Sequence, residues 1–184
     1  MQTTTQEKFK QTLIHKNSTP EAKLLKIDRK FNVAVDKLFQ AFTTSDSIKA
    51  WWWPNDFYSD RVDLDFREGG KYFINMKGFD KAIEVGGGGM TGQFEEIVKN
   101  RRIVMTDSFA DEKGNAISAA EAKMPGSSWP KIAYITFEFE PVSENRSQIS
   151  LSQEGIPNET QKECIQGWNE MFDKLEKYLS GSKI

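Results

Sequence analysis

The sequence contains only one cysteine and one histidine among its 184 residues. Cys164 has no partner for an internal disulfide, which favours a reducing compartment, and we expect a cytoplasmic protein. His15 lies in a polar segment, whereas a metal site or a catalytic triad needs further residues that converge on the histidine. We therefore expect His15 at the surface and no metal site.

Long apolar runs and a strong excess of charge are also missing. No stretch approaches the roughly 20 apolar residues that span a bilayer, and residues 1–6 contain no apolar run typical of a signal peptide. The formal net charge of -2 gives no electrostatic basis for binding nucleic acid or an acidic membrane. We expect a soluble protein with no nucleic-acid partner and no membrane span.

Nucleotide-binding motifs are absent as well. The glycine run at residues 86–89 is followed by neither a Lys-Ser/Thr pair nor a new helix, so it matches neither phosphate-binding loops nor the dinucleotide fingerprint. It predicts a flexible hairpin connection. Without a metal, nucleotide or flavin motif, we expect no cofactor.

The length suits one domain with a substantial core. Residues 1–22 are polar, and we expect a mobile arm there, followed by a single domain at 23–181. Alternating apolar residues predict a first strand near residues 24–31. Two short helices follow, the second capped by Ser45 and stopped by Pro54.

Alternating patterns then predict a series of strands. Their ranges are 61–66, 71–77, 91–98, 102–108, 132–139 and 148–153. Short turns join most of them, which indicates antiparallel pairing. Residues 111–130 form a longer polar excursion, and loops of this length are typically functional or disordered.

The C-terminal segment carries the clearest pattern. Apolar residues recur there at helical spacing, from Cys164 through Trp168 to Tyr178. Asn158 is a candidate cap and Gly181 a candidate stop. The pattern predicts roughly 20 residues of helix, about 30 Å long, which is enough to cross the whole sheet.

This order of elements resembles the START-like (SRPBCC, Bet v-like) superfamily. Within it, the chain is similar to the branch related to the C-terminal domain of the activator of heat-shock protein 90 ATPase. The motifs that carry the resemblance are residues 31–34, 38–43, the tryptophan-rich 48–54, 63–72, 92–97 and Gly167-Trp168. The resemblance implies an α+β helix-grip fold, in which a curved antiparallel sheet wraps around a long C-terminal helix.

Two features depart from the family pattern. Trp53 stands where the family usually has glycine, so it is a candidate to project into the mouth of a cavity. The excursion at 111–130 is longer than usual, and it is a candidate lid over that mouth.

The resemblance also implies a gap between sheet and helix that accepts apolar or amphipathic small molecules. The candidate lining residues are Trp52, Phe66, Tyr72, Ile74, Met76, Phe94, Met105, Tyr134, Phe137, Trp168 and Phe172. Such a lining suits a ligand pocket. The same side chains can instead pack together and leave no cavity, and the sequence leaves both arrangements open.

Three functions follow as hypotheses, and the first is non-catalytic binding of a small apolar or amphipathic molecule. The alternatives are a protein-interaction module that acts on a chaperone, and an enzyme for an apolar or polyketide-like substrate. No catalytic group is predicted, and an enzyme hypothesis is tested first at Asp107, Tyr134 and Glu154. Cys164 is expected to pack inertly, and both a monomer and a homodimer remain open.

Overall fold

The computed structural model describes residues 23–80, 88–125 and 128–183. The predicted N-terminal arm at 1–22 and the first two glycines of the run at 86–89 lie outside the described residues. The strands are β1 Lys23–Phe31, β2 Phe57–Tyr58, β3 Val62–Leu64, β4 Lys71–Asn75, β5 Lys77–Gly78, β6 Gly89–Val98, β7 Arg102–Ala110, β8 Ala133–Ser143 and β9 Arg146–Ile156. The helices are α1 Val35–Gln40, α2 Ser45–Trp51 and α3 Gln161–Ser180.

Seven of these strands form one antiparallel sheet in the order β1-β9-β8-β7-β6-β4-β3. Strands β2 and β5 form a separate pair. The sheet and α3 share one apolar cluster, to which α3 contributes Trp168, Met171, Phe172, Leu175 and Leu179. The predicted helix-grip architecture is therefore confirmed.

Helix α3 has the predicted 20 residues, but it begins later than its candidate cap suggested. Asn158 opens a 3-10 turn at Asn158–Thr160, because the backbone N–H and the hydroxyl of Thr160 both donate to the Pro157 carbonyl. At the other end Gly181 adopts a left-handed φ of 71°, as predicted for a helix stop.

Helix α2 determines where three consecutive tryptophans point. Its cap is Thr44 and not Ser45, because the Thr44 hydroxyl accepts the Ser47 N–H at 3.2 Å. At its end Trp52 has φ −82° and ψ 63°, and the Trp53 N–H donates to the Trp51 carbonyl at 2.9 Å. This tight three-residue turn leaves Trp51 and Trp52 buried and turns Trp53 outward.

In the part of the chain that the structure describes, no helix combines the length and the apolarity that a membrane span requires.

Candidate functional site

One end of the interior is filled by aromatic rings. This aromatic end consists of Phe42, Trp51, Trp52, Phe137 and Phe139, and Phe42 contacts each of the other four at centroid distances of 4.9 to 6.2 Å. The void beside it measures about 10 Å³ and has only apolar lining. This volume holds at most a single water molecule, so the described conformation contains no open ligand cavity at this end.

Most of the candidate lining residues meet in the interior. Eight of the candidates are buried in the shared cluster: Trp52, Tyr72, Ile74, Phe94, Met105, Phe137, Trp168 and Phe172. Phe66 is half-buried and packs against the same cluster.

The structure does not bring Tyr134 and Met76 together with these residues. Tyr134 is half-buried and alternates with Ala133 and Ile135, which face the interior, so it lies on the convex face of the sheet. Met76 follows the last residue of β4 and does not belong to the central cluster.

The opposite end of the interior contains a chain of polar side chains, which we name the Asp107 cluster: Asp107, Gln153 and Trp168. The Trp168 indole N–H donates to Gln153 Oε1 at 2.7 Å, and Gln153 Nε2 donates to Asp107 Oδ2 at 3.2 Å. Gln153 and Trp168 are buried, whereas Asp107 is half-buried. Three different elements, β7, β9 and α3, therefore supply one hydrogen-bonded row.

The surroundings of Asp107 favour its neutral form. Burial raises the pKa of its carboxyl group to about 7, and the hydrogen bond from Gln153 opposes that shift. Asp107 in turn helps to raise the pKa of Tyr72, for which burial is the larger cause. Burial likewise raises the pKa of the Cys164 thiol to about 11, which agrees with inert packing of that residue.

Tyr72 reaches across a neighbouring strand to approach this cluster. Its hydroxyl donates to the Thr106 carbonyl at 2.7 Å, although β6 lies between β4 and β7. Gly92 of β6 pairs with Tyr72, and a Cβ there would lie 2.1 Å from the same carbonyl oxygen. Glycine at position 92 therefore keeps the path of the Tyr72 hydroxyl open.

The excursion at 111–130 divides into two parts. Its first part packs on the ring of Phe73, where a Cβ at Gly114 would lie 3.2 Å from the ring. Its last part brings Trp129 onto Phe109 at 5.2 Å, and Pro130 lies so close to Gly155 that an added Cβ would approach it to 2.4 Å. Trp129 and Pro130 thus pack against residues two positions from Asp107 and Gln153.

The three residues considered for an enzyme do not converge. Asp107 faces the interior, whereas Tyr134 and Glu154 alternate to the other side of the sheet. Burial raises the pKa of Glu154, but no hydrogen bond joins it to Asp107. Among the described residues no three His, Cys, Asp or Glu side chains assemble into a group that could hold a metal.

Trp53 does not enter the interior, contrary to the expectation that it projects into a cavity mouth. Its indole N–H donates to the Lys49 carbonyl at 2.9 Å, and its ring lies under the Lys174 ammonium at 4.4 Å. The ring therefore faces an external groove along α3.

The curved sheet, the closing helix and an interior that joins apolar rings to one polar row define a START-like helix-grip protein. The family model described as activator of Hsp90 ATPase homolog 1-like protein (AHSA1) matches residues 32–180. The chain belongs to this family, and the resemblance seen in its sequence is confirmed.

Solved structures agree on the fold. A protein from Chromobacterium violaceum is 22% identical with a TM-score of 0.65, over 85% of this chain and 96% of that one. A protein from Arthrobacter aurescens is 21% identical with a TM-score of 0.66, over 90% of each chain. The AHSA1 protein of Silicibacter pomeroyi is 21% identical with a TM-score of 0.65, over 86% of this chain and 98% of that one. Among curated proteins none matches this chain.

Proposed function

We propose that this protein binds a small amphipathic molecule without catalysis, at the end of the interior that holds the Asp107 cluster. One observation carries the proposal: the Asp107 carboxyl group faces the interior and, among the described residues, receives a single hydrogen bond, from Gln153. A carboxyl group in such surroundings has unused acceptor capacity. The family fold, which supports a ligand-binding type of domain, agrees with this reading.

Room for the ligand has to open at the Asp107 cluster, because the aromatic end is filled around a void of about 10 Å³. Trp129 and Pro130 are the residues we expect to move. They belong to the excursion and not to a strand, and the Trp129 indole N–H bonds locally, to the Pro125 carbonyl at 2.7 Å. Their displacement breaks no pairing of the main sheet.

The chemistry of the cluster indicates which ligands fit. Asp107 accepts hydrogen bonds in both protonation states, and its ionised form also attracts a cation. Trp168 and Phe109 supply apolar surface beside it. We therefore expect an apolar body that ends in an amine or a hydroxyl group, and we expect carboxylic acids to be rejected as anions.

The first test is a native mass spectrum of gently purified protein, followed by extraction and identification of any bound small molecule. Decylamine, decanol and decanoate then serve as matched probes at pH 8. We expect decylamine to bind best, and Asp107→Asn to weaken its binding at least tenfold, because a charge-assisted hydrogen bond contributes about 1.5–3 kcal/mol.

Glu154→Gln is the matched control, since it removes a nearby carboxyl group on the other face of the sheet. It should leave probe binding unchanged. Equal affinity for the three probes, or an effect of Glu154→Gln as large as that of Asp107→Asn, contradicts the proposal.

The second candidate is a protein-interaction module that modulates a chaperone. The filled aromatic end favours it, because a packed interior has no room for a ligand and function then depends on the outer surface. The family description names an Hsp90 ATPase activator, which is the reason to test that chaperone first. The measurement is the ATPase turnover of a purified Hsp90-type chaperone with and without this protein. An unchanged turnover, with no complex in solution, removes this candidate.

A further inference from the structure

The carboxyl group of Asp107 has no positively charged partner in the part of the chain that the structure describes. No ion pair there involves Asp107, and its hydrogen bond comes from the uncharged amide of Gln153. That amide is held in place from its other end by the Trp168 indole N–H. An ionised Asp107 is therefore a negative charge that no described side chain balances.

The groups that face Asp107 from the neighbouring elements are uncharged near neutral pH. Burial is the main cause that raises the pKa of Tyr72 on β4 and of Cys164 on α3, and Asp107 adds to both shifts. Both groups therefore stay neutral between pH 6 and pH 8. Ala133 of β8, which pairs with Asp107, carries no charge either.

The charged side chains close to these groups in the chain do not neutralise Asp107. Glu154 alternates to the other side of the sheet, and Glu163, which acts on Cys164, is exposed. Lys131 is exposed as well, and its backbone carbonyl accepts the Ser108 hydroxyl on that other side.

Aromatic side chains adjoin the cluster and favour an organic cation as its partner. Trp168 is a member of the cluster, and Phe109 stands two residues from Asp107 on the same face of β7, with the Trp129 ring 5.2 Å away. The face of an aromatic ring attracts cations, including ammonium groups that carry several methyl substituents. One carboxyl group beside aromatic rings suits such an ammonium group better than a metal ion, which needs several ligand atoms.

We infer that the Asp107 cluster binds its ligand as an organic cation and releases one proton in exchange. This inference rests on the proposed function, and it narrows the ligand class to molecules with an ammonium head group. On binding, the O–H bond of the Asp107 carboxyl group breaks, its electron pair stays on the carboxylate, and the proton passes to the solvent. The ligand then supplies the positive charge that the described side chains do not.

Competition with the proton determines how affinity depends on pH. Because burial raises the pKa of Asp107 to about 7, most of the free protein carries the protonated group at pH 6 and the ionised group at pH 8. A ligand with a permanent positive charge should therefore bind about tenfold more tightly at pH 8 than at pH 6. The affinity of a neutral ligand should change by less than about twofold, because both forms of the carboxyl group accept hydrogen bonds.

The experiment uses decyltrimethylammonium, whose charge does not titrate, and decanol, which is neutral and has the same chain length. Isothermal titration calorimetry of the full chain, in two buffers with different ionisation enthalpies, counts the protons released per bound ligand. We expect about one proton per decyltrimethylammonium at pH 6 and almost none at pH 9. We expect no release with decanol.

Asp107→Asn keeps an acceptor for Gln153 but cannot ionise. It should abolish the proton release, remove the pH dependence and weaken decyltrimethylammonium binding at pH 8 by at least about tenfold. The controls are Glu154→Gln, which removes a carboxyl group with a raised pKa on the other face of the sheet, and His15→Gln, which removes the only histidine of the sequence. Both should keep the proton release and the pH dependence of the native protein.

The outcomes separate this inference from the proposed function. If neither probe binds to the native protein at pH 8, the proposed function fails and the inference fails with it. If decyltrimethylammonium binds at pH 6 without releasing a proton, or if its pH dependence persists in Asp107→Asn, the inference alone is overturned. The proton count is made on the native protein, so it decides the question even where a variant does not fold.

Discussion

The aromatic end and the Asp107 cluster belong to one interior, but they are stabilised in different ways. Phe42 contacts four other rings and leaves a void of about 10 Å³, so the aromatic end is held by close packing. At the other end one hydrogen-bonded row joins β7, β9 and α3 and finishes at a carboxyl group with a raised pKa. Close packing stabilises the aromatic end, whereas the stability of the Asp107 cluster depends on pH.

Trp168 connects the two regions. Its ring packs on Trp52 at 5.4 Å and on Phe137 at 5.7 Å, while its N–H donates to Gln153. A substitution at either end therefore changes the surroundings of the same indole ring. The following variants test how far the two ends differ.

The largest effect is expected from Phe137→Ala. Phe137 is fully buried among the rings of the aromatic end, and removal of such a ring leaves a cavity that the neighbours cannot fill. We expect the free energy of unfolding to fall by about 3–5 kcal/mol. Urea denaturation measures this, with Phe79→Ala, at an exposed ring, as the control. A loss below about 1 kcal/mol would show that the aromatic end repacks freely.

Asp107→Asn should change how stability depends on pH. Because the pKa of Asp107 is about 7 in the fold and close to 3.8 in the unfolded chain, the fold favours the protonated carboxyl group. The stabilisation of the fold by the protonated Asp107 is fully present below pH 4 and is lost as the pH rises from about 4 to 7.

The asparagine variant cannot ionise and keeps an acceptor for Gln153. Between pH 4 and pH 8, its free energy of unfolding should rise by about 2 kcal/mol relative to that of the native protein. This is half of the roughly 4 kcal/mol that the full pKa shift represents, because Asp107 is half-buried. Thermal unfolding at both pH values measures the gain. Parallel pH profiles for the two proteins would mean that Asp107 titrates normally.

Gln153→Leu tests the hydrogen-bonded row. It leaves the buried Trp168 N–H without its acceptor, and we expect a loss of about 1–2 kcal/mol in the free energy of unfolding. Gln148→Leu, on the opposite face of the same strand, is the matched control. Equal losses in the two variants would indicate that the row contributes little beyond strand propensity.

The smallest expected difference concerns the contact of Pro130 with Gly155, two residues from Gln153. Gly155→Ala and Gly181→Ala both place alanine at a left-handed φ, 76° and 71° respectively. Only the first brings the new Cβ against Pro130. Gly181→Ala should therefore lose about 1 kcal/mol, and Gly155→Ala about 1 kcal/mol more, as measured by urea denaturation. Equal losses would mean that Pro130 moves away from Gly155 at no cost.

The strand pattern predicted most of the interior, because burial on one face of a sheet follows a period of two. Ile103 and Met105 place Asp107 on the interior face, and Ile149 and Leu151 do the same for Gln153. The signal for both was thus present in the sequence. Their hydrogen bond was not predictable, since it depends on the register between strands far apart in the chain.

Tyr134 and Phe137 lie on opposite faces of β8, because they stand three residues apart and an odd separation puts two strand residues on opposite faces. Met76 keeps the period of Tyr72 and Ile74, but β4 ends one residue earlier. Asn75 ends it by accepting bonds from Ser59 and from two backbone N–H groups with its side-chain oxygen. A turn with a side-chain acceptor of this kind overrides simple alternation.

The pairing of β1 with β9 has a consequence for how the chain is made. The first strand, β1, pairs with the last strand, β9, and Arg29 lies opposite Ile149. During synthesis β1 leaves the ribosome long before β9 has been made. Until then β1 has no strand to pair with, and its apolar side chains stay exposed. Pairing of such distant segments slows folding and prolongs exposure to aggregation. The edge of this sheet is therefore the part of the molecule that we expect to depend most on cellular folding assistance.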